Sequence, residues 1–512
     1  MSKLHPASAP PHRPLSATNR RLLLIAIGVS ALLWLAMPIF AQESYYWCYA
    51  QHPDLSYYDH PPMVAWLIWL GTGLFGDGAA GLRAGTFLCG MGTLFAGLQL
   101  LRMFDAGERA VRAWLLMAVA VPTFVSVRFL TNPDPALCCF WMLTMVALWK
   151  ARRGSLGWWL LAGLFAGCAL LSKYTAAFLA VGGAIVLLFD PQMRRQLRRP
   201  GPYLGVVVAA VTFLPVLLWN FGNDFESFRF QTSGRWDKAE LTLRWFGELL
   251  GGQLLVLNPV VAIAVPLATI WLVRRVRDRD ATALWLLAFG APLVLFFLAN
   301  SLFVQVKINW LAPAALPLLL GVALWFERSG VAVARPIAVR RGAGVMIAAA
   351  ALMLLAPLVE FFPQRRGSSW TGWHEIAARA EHWEGFIDEP DGLEGNCFFF
   401  AGDYRDAAQL TRNLKEVVAE IEPGEVVEPT MAQNVLGRQA LQFDHWQDPR
   451  GCLGQDAIFV VTRPEQREDL VQAVRGRFDR IERVERVSVK RLGFEVLAAD
   501  IYVCRKYRGP RI

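Results

Sequence analysis

Hydrophobic positions in this chain fall into long continuous runs, separated by short polar segments. Continuous apolar runs of this kind differ from the period-2 and period-3.6 patterns of soluble strands and helices. Many of them approach the roughly 20 residues that a helix needs to cross a bilayer. The eleven runs lie near residues 22–40, 81–101, 113–130, 136–149, 156–171, 175–189, 203–220, 251–273, 282–300, 310–326 and 343–362. The pattern predicts a mainly α-helical integral membrane protein with about 11 transmembrane helices.

The apolar stretch 156–189 is too long for one membrane-spanning helix. A single helix would measure about 50 Å at 1.5 Å per residue, whereas the hydrocarbon core is about 30 Å thick. It would also place Lys173 in the middle of the membrane. A break at Ser172-Lys173-Tyr174 predicts two short helices with the lysine at a membrane surface.

Basic residues occur in alternate gaps between the runs. The intervening gaps are nearly bare, and the first of them, 41–80, contains no lysine or arginine. The positive-inside rule places the basic gaps in the cytosol, so the N-terminus is predicted to be cytosolic and the part after residue 362 external. The basic clusters are Arg20/Arg21, Arg102/Arg109/Arg112, Lys150/Arg152/Arg153, Arg194/Arg195/Arg198/Arg199, Arg274/Arg275/Arg277/Arg279 and Arg328/Arg335/Arg340/Arg341.

Composition supports a membrane protein and argues against nucleic acid as a partner. The 512 residues are 55% hydrophobic, with a mean hydropathy of +0.35 and a formal charge of +9. The positive charge sits in short loop clusters, as in the cytosolic loops of membrane proteins, so no nucleic-acid partner is predicted. Residues 1–19 are polar and proline-rich, which predicts a disordered cytosolic segment. Run 22–40 is too long for a cleaved signal sequence and is interpreted as a retained span.

The region 363–512 has the pattern of a water-exposed domain. "NCFFFAGDY" and "DAIFVVTRP" predict buried strands, whereas "YRDAAQLTRNLKEVV" and "PEQREDLVQAVRGRF" have helical spacing of apolar residues. We therefore expect three parts: the segment 1–19, a transmembrane domain over 20–362 with a long first external loop at 41–80, and an external α/β domain over 363–512. The eight cysteines lack metal-ligand spacing. An oxidising compartment would allow one disulfide among Cys397, Cys452 and Cys504, with the pairing left open.

Polar residues of several different loops are predicted to meet at the external face. Glu43 closes the first apolar run, and its loop contains no basic residue to pair with it, which points to function because an unpaired acid is costly there. Taken alone, the tyrosines and tryptophans of this loop favour interfacial anchors. Asp59 and His60 fit either a helix cap or a site. The predicted external set is Gln42, Glu43, Asp59, His60, Asp134, Lys173, Tyr174, Asn220 and Lys307.

The second external turn, "FLTNPDPALCCFW", holds Asp134 between two prolines. This acid fits an N-cap for a helix from residue 136, a catalytic role, or both. Lys173 fits either a snorkelling lysine or, beside Tyr174, a seat for a phosphate. Arg83 and Lys307 are candidates of the same kind. Acids, cations and aromatic faces around one external cavity would suit a phosphorylated lipid that carries a sugar.

The stretch "ESYYWCYAQHPDLSYYDHPPMVAWLIWLGTGLFGDGAAGLR" resembles the first external loop of bacterial polyprenyl-phosphate-sugar glycosyltransferases. These enzymes form the protein-O-mannosyltransferase and lipid A aminoarabinose transferase superfamily, similar to glycosyltransferase family 39. Further similar stretches follow in order, namely "FLTNPDPALCCFW", "LLSKYTAAFL", "PVLLWNFGNDFESFRFQ", "GDYRDAAQLTRNL" and "FDHWQDP". The resemblance covers nearly the whole chain and implies the integral-membrane GT-C fold.

The resemblance also implies a reaction: a sugar leaves an undecaprenyl-type phosphate carrier, with inversion, for an envelope acceptor such as lipid A, a glycan or a protein. Glu43 matches the second acid of the family's Asp-Glu pair, whereas the first position is Gln42, an amide that cannot take a proton. Three explanations stay open: Glu43 is the base, the acceptor is already anionic, or activity has been lost. Asp134 matches the acid of the second external turn.

Binding residues carried over from the family are Lys173 near the carrier phosphate and the "YYDHPP" loop around the sugar. On this basis the expected catalytic residues are Glu43 and Asp134, and the expected substrate-binding residues are Tyr58, Asp59, His60, Arg83, Lys173, Tyr174 and Lys307. No cofactor is required by these residues, and a divalent metal is the lesser alternative because Gln42 removes one carboxylate. The implied location is the bacterial inner membrane.

Two other functions are weighed against the transferase. A non-catalytic relative that binds the carrier lipid or a partner is favoured only by Gln42. A lipid-linked sugar transporter would need polar groups at mid-depth and two repeated halves, and neither is visible in the sequence.

Overall fold

The computed structural model describes residues 14–232, 234, 239–330, 341–348, 351, 371–388, 397–421, 427 and 430–510. Before residue 330 the fold is helical. The helices are α1 (Ala17–Ala36), α2 (Ala41–Gln51), α3 (Met63–Phe75), α4 (Ala79–Met103), α5 (Glu108–Ala120), α6 (Pro122–Ser126), α7 (Pro133–Ala151), α8 (Leu156–Ser172), α9 (Phe178–Phe189), α10 (Pro191–Gln196), α11 (Gly201–Gly222), α12 (Glu226–Gln231), α13 (Leu243–Val256), α14 (Pro259–Arg277), α15 (Ala281–Asn300) and α16 (Ala312–Arg328).

Within the described ranges, six helical segments are long and apolar enough to cross a membrane: Ala17–Ala36, Ala79–Met103, Gly201–Gly222, Pro259–Arg277, Ala281–Asn300 and Ile308–Arg328. Shorter apolar helices cover Met63–Phe75, Leu156–Ser172 and Tyr174–Phe189. The mainly helical membrane fold is therefore confirmed. Most of the predicted run 343–362 lies outside the described residues.

The predicted break at Ser172-Lys173-Tyr174 is confirmed. Helix α8 ends at Ser172, Lys173 is extended, and a short 3-10 helix, Tyr174–Ala177, leads into α9. Two other runs are broken where no break was predicted. Run 113–130 divides at Val121, before Pro122, and run 251–273 divides at Asn258, before Pro259.

A buried arginine repairs the break at Pro122. Proline has no N–H, so the carbonyl of Ala118 loses the donor that a continuous helix would supply. The guanidinium of Arg128 donates to that carbonyl through Nη2, and its Nε donates to Ser30 Oγ at 2.8 Å. Arg128 is fully buried. It therefore fixes α1 and α5 to the segment that precedes α7.

The loops predicted to be cytosolic meet at one end of the helical domain. Gly107 N–H donates to Glu327 Oε2 at 2.9 Å, and the Arg152 guanidinium lies 2.9 Å from the Asp190 carboxylate. The external loops meet at the other end. The structure therefore groups the loops as the alternation of basic clusters predicts.

The C-terminal part contains a four-stranded mixed sheet with the strand order β1-β2-β4-β3. Its elements are α17 (Trp373–Asp388), β1 (Cys397–Ala401), α18 (Tyr404–Ile421), α19 (Phe443–Trp446), β2 (Asp456–Thr462), α20 (Glu468–Arg475), β3 (Phe478–Arg491) and β4 (Phe494–Tyr507). Strands β1 and β2 are parallel, and the other pairs are antiparallel. The predicted α/β pattern is confirmed, whereas the long β3–β4 hairpin was not predicted.

Helix α18 joins this sheet to the first external loop. Leu410 and Leu414 pack on the sheet, and Ala407 and Ala408 belong to an apolar cluster with Tyr45 of α2. Polar contacts surround that cluster, including Ser44 Oγ with Gln409 Oε1 at 3.0 Å and Lys415 Nζ with Asp77 Oδ2 at 3.0 Å. All eight cysteines are free thiols, Cys397, Cys452 and Cys504 included.

Candidate active site

A cavity of about 1110 Å³ lies where the external loops meet helix α18. Its walls come from the first external loop, the turn before α7, the break between α8 and α9, the segment before α16, and the start of α18. The polar lining residues include Gln42, Asp59, His60, Asn132, Asp134, Lys173, Tyr174, Gln231, Lys307, Asn309, Tyr404 and Arg405. The predicted convergence of distant loops on one cavity is thus present in the structure.

Asp134 and Lys173 form a nearly buried ion pair in the cavity wall. Lys173 Nζ lies 2.6 Å from Asp134 Oδ1, and the side chains are 10% and 3% exposed. Asn309 donates to the other carboxylate oxygen at 2.5 Å. The helix cap is not Asp134 but Asn132, whose side chain accepts from the Asp134 N–H at 2.8 Å, so the N-cap interpretation of Asp134 is wrong. The acid is left to orient Lys173.

Asp59 is a buried carboxylate held by tyrosine hydroxyls. Tyr45 donates to its Oδ1 at 2.9 Å, Tyr49 donates to the same atom, and His60 Nε2 lies 3.9 Å from Oδ2. Burial raises the pKa of Asp59, and the hydrogen bonds from the two tyrosines oppose that rise. The helix-cap alternative for Asp59 and His60 is wrong, because the N-cap of α3 is Pro62.

Lys307 and Tyr174 also line the cavity. Tyr174 is the first residue of the 3-10 helix that leads into α9, and Lys307 directly precedes the 3-10 helix Ile308–Leu311 that leads into α16. The Tyr174 hydroxyl lies 2.7 Å from Ser227 Oγ, and its ring packs edge-on against Phe228. These contacts fix an aromatic wall next to Lys173.

Glu43 and Arg83 are not part of the cavity lining. Both are fully buried, and Arg83 donates Nε and Nη2 to the two Glu43 oxygens at 2.8 and 2.6 Å. The expectation that Glu43 lacks a basic partner is therefore wrong. Its oxygens also accept from the backbone N–H groups of Thr131 and Phe40 at 2.9 and 3.0 Å. The pair ties α4 to the first external loop and to the turn that carries Asp134.

Tyr58 lies outside the cavity lining and contacts the C-terminal part. Its backbone N–H donates to Gln442 Oε1 at 2.6 Å, and its hydroxyl accepts from Gln439 Nε2. Its ring packs 4.9 Å from that of Phe230. Asn220 is also outside the lining, buried at the end of α11. The geometry thus gives Tyr58 a place in docking rather than in the cavity wall.

Comparison with known proteins finds similarity to glycosyltransferases. Residues 59–219 match the family described as dolichyl-phosphate-mannose-protein mannosyltransferase. The lipid A galacturonosyltransferase RgtD of Rhizobium johnstonii is 30% identical over 302 residues, which is 57% of this chain and 62% of that protein. An undecaprenyl phosphate-α-4-amino-4-deoxy-L-arabinose arabinosyl transferase of Pseudomonas fluorescens is 26% identical over 300 residues, 56% of this chain and 52% of that protein.

Over part of its length the chain is similar to polyprenyl-phosphate-sugar glycosyltransferases. The matches span less than two thirds of the length of these two relatives. The crystal structure of ArnT from Cupriavidus metallidurans in the apo state superposes with a TM-score of 0.61 and 16% identity, covering 94% of this chain and 97% of ArnT. The form bound to undecaprenyl phosphate gives 0.57 and 18%, covering 95% and 98%. The fold is therefore the GT-C fold, and the chain is a membrane protein.

The cavity lining contains residues that were not among the expected catalytic and binding residues, including Gln42, Tyr404 and Arg405. Gln42 lines the cavity, whereas its neighbour Glu43 does not. Tyr404 and Arg405 come from the C-terminal part. Their only signal in the sequence is the similarity of "GDYRDAAQLTRNL" to the family. Among the described residues, no group of three or more His, Cys, Asp and Glu side chains is placed to hold a metal ion.

Proposed function

We propose that this protein is a membrane glycosyltransferase that moves a sugar from a polyprenyl-phosphate carrier to a cell-envelope acceptor at the external face, with inversion. The observation that supports the proposal most is the convergence of His60, Asp134, Lys173 and Lys307, from four separate loops, on one cavity at the membrane end. Cations suit a phosphate, and a mostly apolar cavity with a few polar groups suits a lipid-linked sugar.

The donor is proposed to lie with its phosphate near Lys173 and Lys307. Both residues sit at 3-10 breaks close to the ends of apolar helices, where a carrier lipid can enter from the side. The acceptor oxygen attacks the anomeric carbon while the bond from that carbon to the carrier phosphate breaks. The phosphate leaves with the electron pair and takes up the proton that a hydroxyl acceptor releases. Positive charge near the departing phosphate stabilises the charge that develops there. Asp134 holds Lys173 in place for this role.

The other predicted site residues receive roles that match their positions. Asp59, His60 and Tyr174 are proposed to form the wall around the sugar. Glu43 and Arg83 are proposed as positioning residues, because Glu43 holds the Thr131 N–H three residues before Asp134.

Tyr58 is proposed to fix the loop against the C-terminal part through its bonds to Gln439 and Gln442. The division into 1–19, 20–362 and 363–512 stays a prediction.

The relatives supply the first substrates to test. Their names specify lipid A for RgtD and an undecaprenyl-phosphate-linked aminoarabinose for the arabinosyl transferases, and one matched ArnT structure contains undecaprenyl phosphate. The proposed partners are therefore an undecaprenyl-phosphate-type donor and an envelope glycolipid, glycan or protein acceptor. The proposed location is the bacterial inner membrane, with the Arg-rich loops cytosolic and residues 363–512 periplasmic.

Mass spectrometry of lipid A and envelope glycans, with and without the gene, tests this function. The wild-type gene is expected to add one sugar mass that the deletion strain lacks. Complementation with Lys307→Gln should lower that signal at least tenfold, because a neutral amide cannot stabilise the leaving phosphate. Complementation with Lys490→Gln, a control at an exposed lysine of strand β3 outside the cavity, should restore it. An unchanged envelope in the deletion strain contradicts the proposal.

Gln42 supports one alternative, a non-catalytic relative that binds the carrier lipid. An amide at the family's acid position cannot act as a base. Such a protein would bind undecaprenyl phosphate through Lys173 and Lys307, yet its deletion would leave all envelope glycans unchanged. Restoring the acid with Gln42→Asp would then create transfer activity, whereas in a working transferase this change alters an existing activity.

A further inference from the structure

The C-terminal part contributes a positively charged residue to the cavity. Asp403 caps helix α18: its Oδ1 accepts from the N–H groups of Arg405 and Asp406 at 2.9 and 3.1 Å. This cap fixes the first turn of α18 so that Tyr404 and Arg405 line the cavity. The Tyr404 ring is anchored edge-on against Tyr45 of the first external loop, with ring centroids 4.7 Å apart.

The charge of Arg405 is only weakly neutralised by its neighbours. Its nearest carboxylate in the described chain is Asp403, at 3.9 Å, and the Arg405 side chain is 40% exposed. The second oxygen of Asp403 is bonded by Arg467 at 3.1 Å, and Arg467 also bonds the buried Asp406 at 2.8 Å. Arg467 therefore satisfies both acids, and Arg405 extends its guanidinium over the Tyr404 ring at 5.3 Å. A planar cation on an aromatic ring is suited to bind phosphate.

The cavity thus receives cations from two different parts of the chain. Lys173 and Lys307 directly precede the 3-10 helices that lead into α9 and α16, where the carrier lipid is proposed to enter. Arg405 lies in the first turn of helix α18, in the C-terminal part. A transferase must bind two molecules at once, and one phosphate of the donor is already accounted for by the two lysines.

We propose that Arg405, backed by Tyr404, forms the binding subsite for a phosphate group on the acceptor glycolipid. The inference rests on the proposed transferase function and assigns a task to the C-terminal part, which then selects the acceptor. Arg405 contacts the acceptor away from the reacting atoms, so it sets acceptor affinity rather than the rate of the chemical step.

Binding of two lipids to the purified full-length protein in nanodiscs tests this subsite. The probes are phosphorylated lipid A, the same lipid A after chemical removal of its phosphates, and undecaprenyl phosphate. Arg405→Gln is expected to lower the affinity for phosphorylated lipid A about tenfold, because a charge-assisted contact is lost. Undecaprenyl phosphate should bind within twofold of wild type. Arg405→Lys should restore most of the lipid A affinity.

Arg450→Gln is the matched control, because Arg450 is a highly exposed arginine of the same part of the chain, bonded to Asp448. It should bind all three probes as wild type does. The proposal is overturned if Arg405→Gln keeps the preference for phosphorylated lipid A, or if it lowers the affinity for undecaprenyl phosphate by the same factor. It is also overturned if the wild-type protein binds both forms of lipid A with equal affinity. These binding measurements do not require sugar transfer. They therefore test the Arg405 subsite even if deletion of the gene leaves lipid A and envelope glycans unchanged.

Discussion

All the hydrogen-bond donors of Arg83 are used within the protein, and two of them bond Glu43. Arg83 donates to both Glu43 oxygens and to the carbonyls of Trp34, Met37 and Pro38, so its guanidinium points every donor into the protein. Pro38 cannot donate to the Trp34 carbonyl, and Arg83 supplies the missing donor at 3.2 Å. A residue engaged in this way cannot also bind a substrate.

Removing Arg83 should therefore destabilise the whole protein. Arg83→Met leaves Glu43 buried and unpaired, which typically costs about 3–5 kcal/mol. Unfolding of the purified protein in detergent measures the change, and the double variant Arg83→Met/Glu43→Met should recover part of the loss because no isolated charge remains.

The exposed Arg450→Met serves as the control and should change stability little. A loss below about 1 kcal/mol for Arg83→Met would show that the buried pair is not a structural anchor.

At the scale of elements, some prolines break a helix and others do not. Pro215, Pro266, Pro292 and Pro317 lie inside continuous helices, whereas Pro122 begins a new one. At Pro122 a side chain six residues further on, Arg128, donates to the open carbonyl of Ala118. Hydropathy predicts that the segment is apolar and helical, but it does not show that a side chain of the same run folds back to supply this donor.

The site, like the helices, was only partly predictable from the sequence. Asp134, Lys173 and Lys307 stand out because each is a polar residue in a short gap between apolar runs. The pairing of Glu43 with Arg83 joins residues 40 positions apart, so neither loop alone reveals it. Arg405 opens an amphipathic helix that looks like any other in sequence, and only the docking of α18 brings it to the cavity.

The crossing of α8 and α11 depends on glycine. A Cβ at Gly163 would lie 2.1 Å from the carbonyl oxygen of Gly205, a distance that two backbones cannot tolerate. Gly163→Ala should force the helices apart and destabilise the protein by about 1–3 kcal/mol. Thermal unfolding in detergent measures this loss.

Gly157 in the same helix provides the matched control, because a Cβ there would meet no atom within 4 Å. Gly157→Ala should be neutral or stabilising by up to about 1 kcal/mol, since alanine favours the helix. Equal effects of the two changes would contradict a close backbone crossing.

At the scale of the molecule, α18 is the layer between the membrane domain and the sheet. Its buried Ala408 faces the tyrosines of α2. Ala408→Arg would place a charge in this contact, and we expect the sheet to detach and the cavity to lose the wall formed by Tyr404 and Arg405. Limited proteolysis in membranes should then cleave the C-terminal part faster, and transfer should fall at least tenfold.

Ala419→Arg is the control for this prediction, because Ala419 is exposed on the same helix. It should leave both the cleavage rate and transfer close to wild type. Unchanged cleavage of the Ala408→Arg variant would show that the contact between α18 and α2 is not what holds the two parts together.

The contact between Ser44 and Gln409 has a consequence for biosynthesis, because it joins residues 365 positions apart. At about 5–20 residues per second, the ribosome needs roughly 20 to 70 s to make the chain between them. During that interval the first loop is already at the membrane surface, but its partner does not yet exist. The cavity is therefore completed late, and a half-made chain lacks the part of its wall that Tyr404 and Arg405 supply.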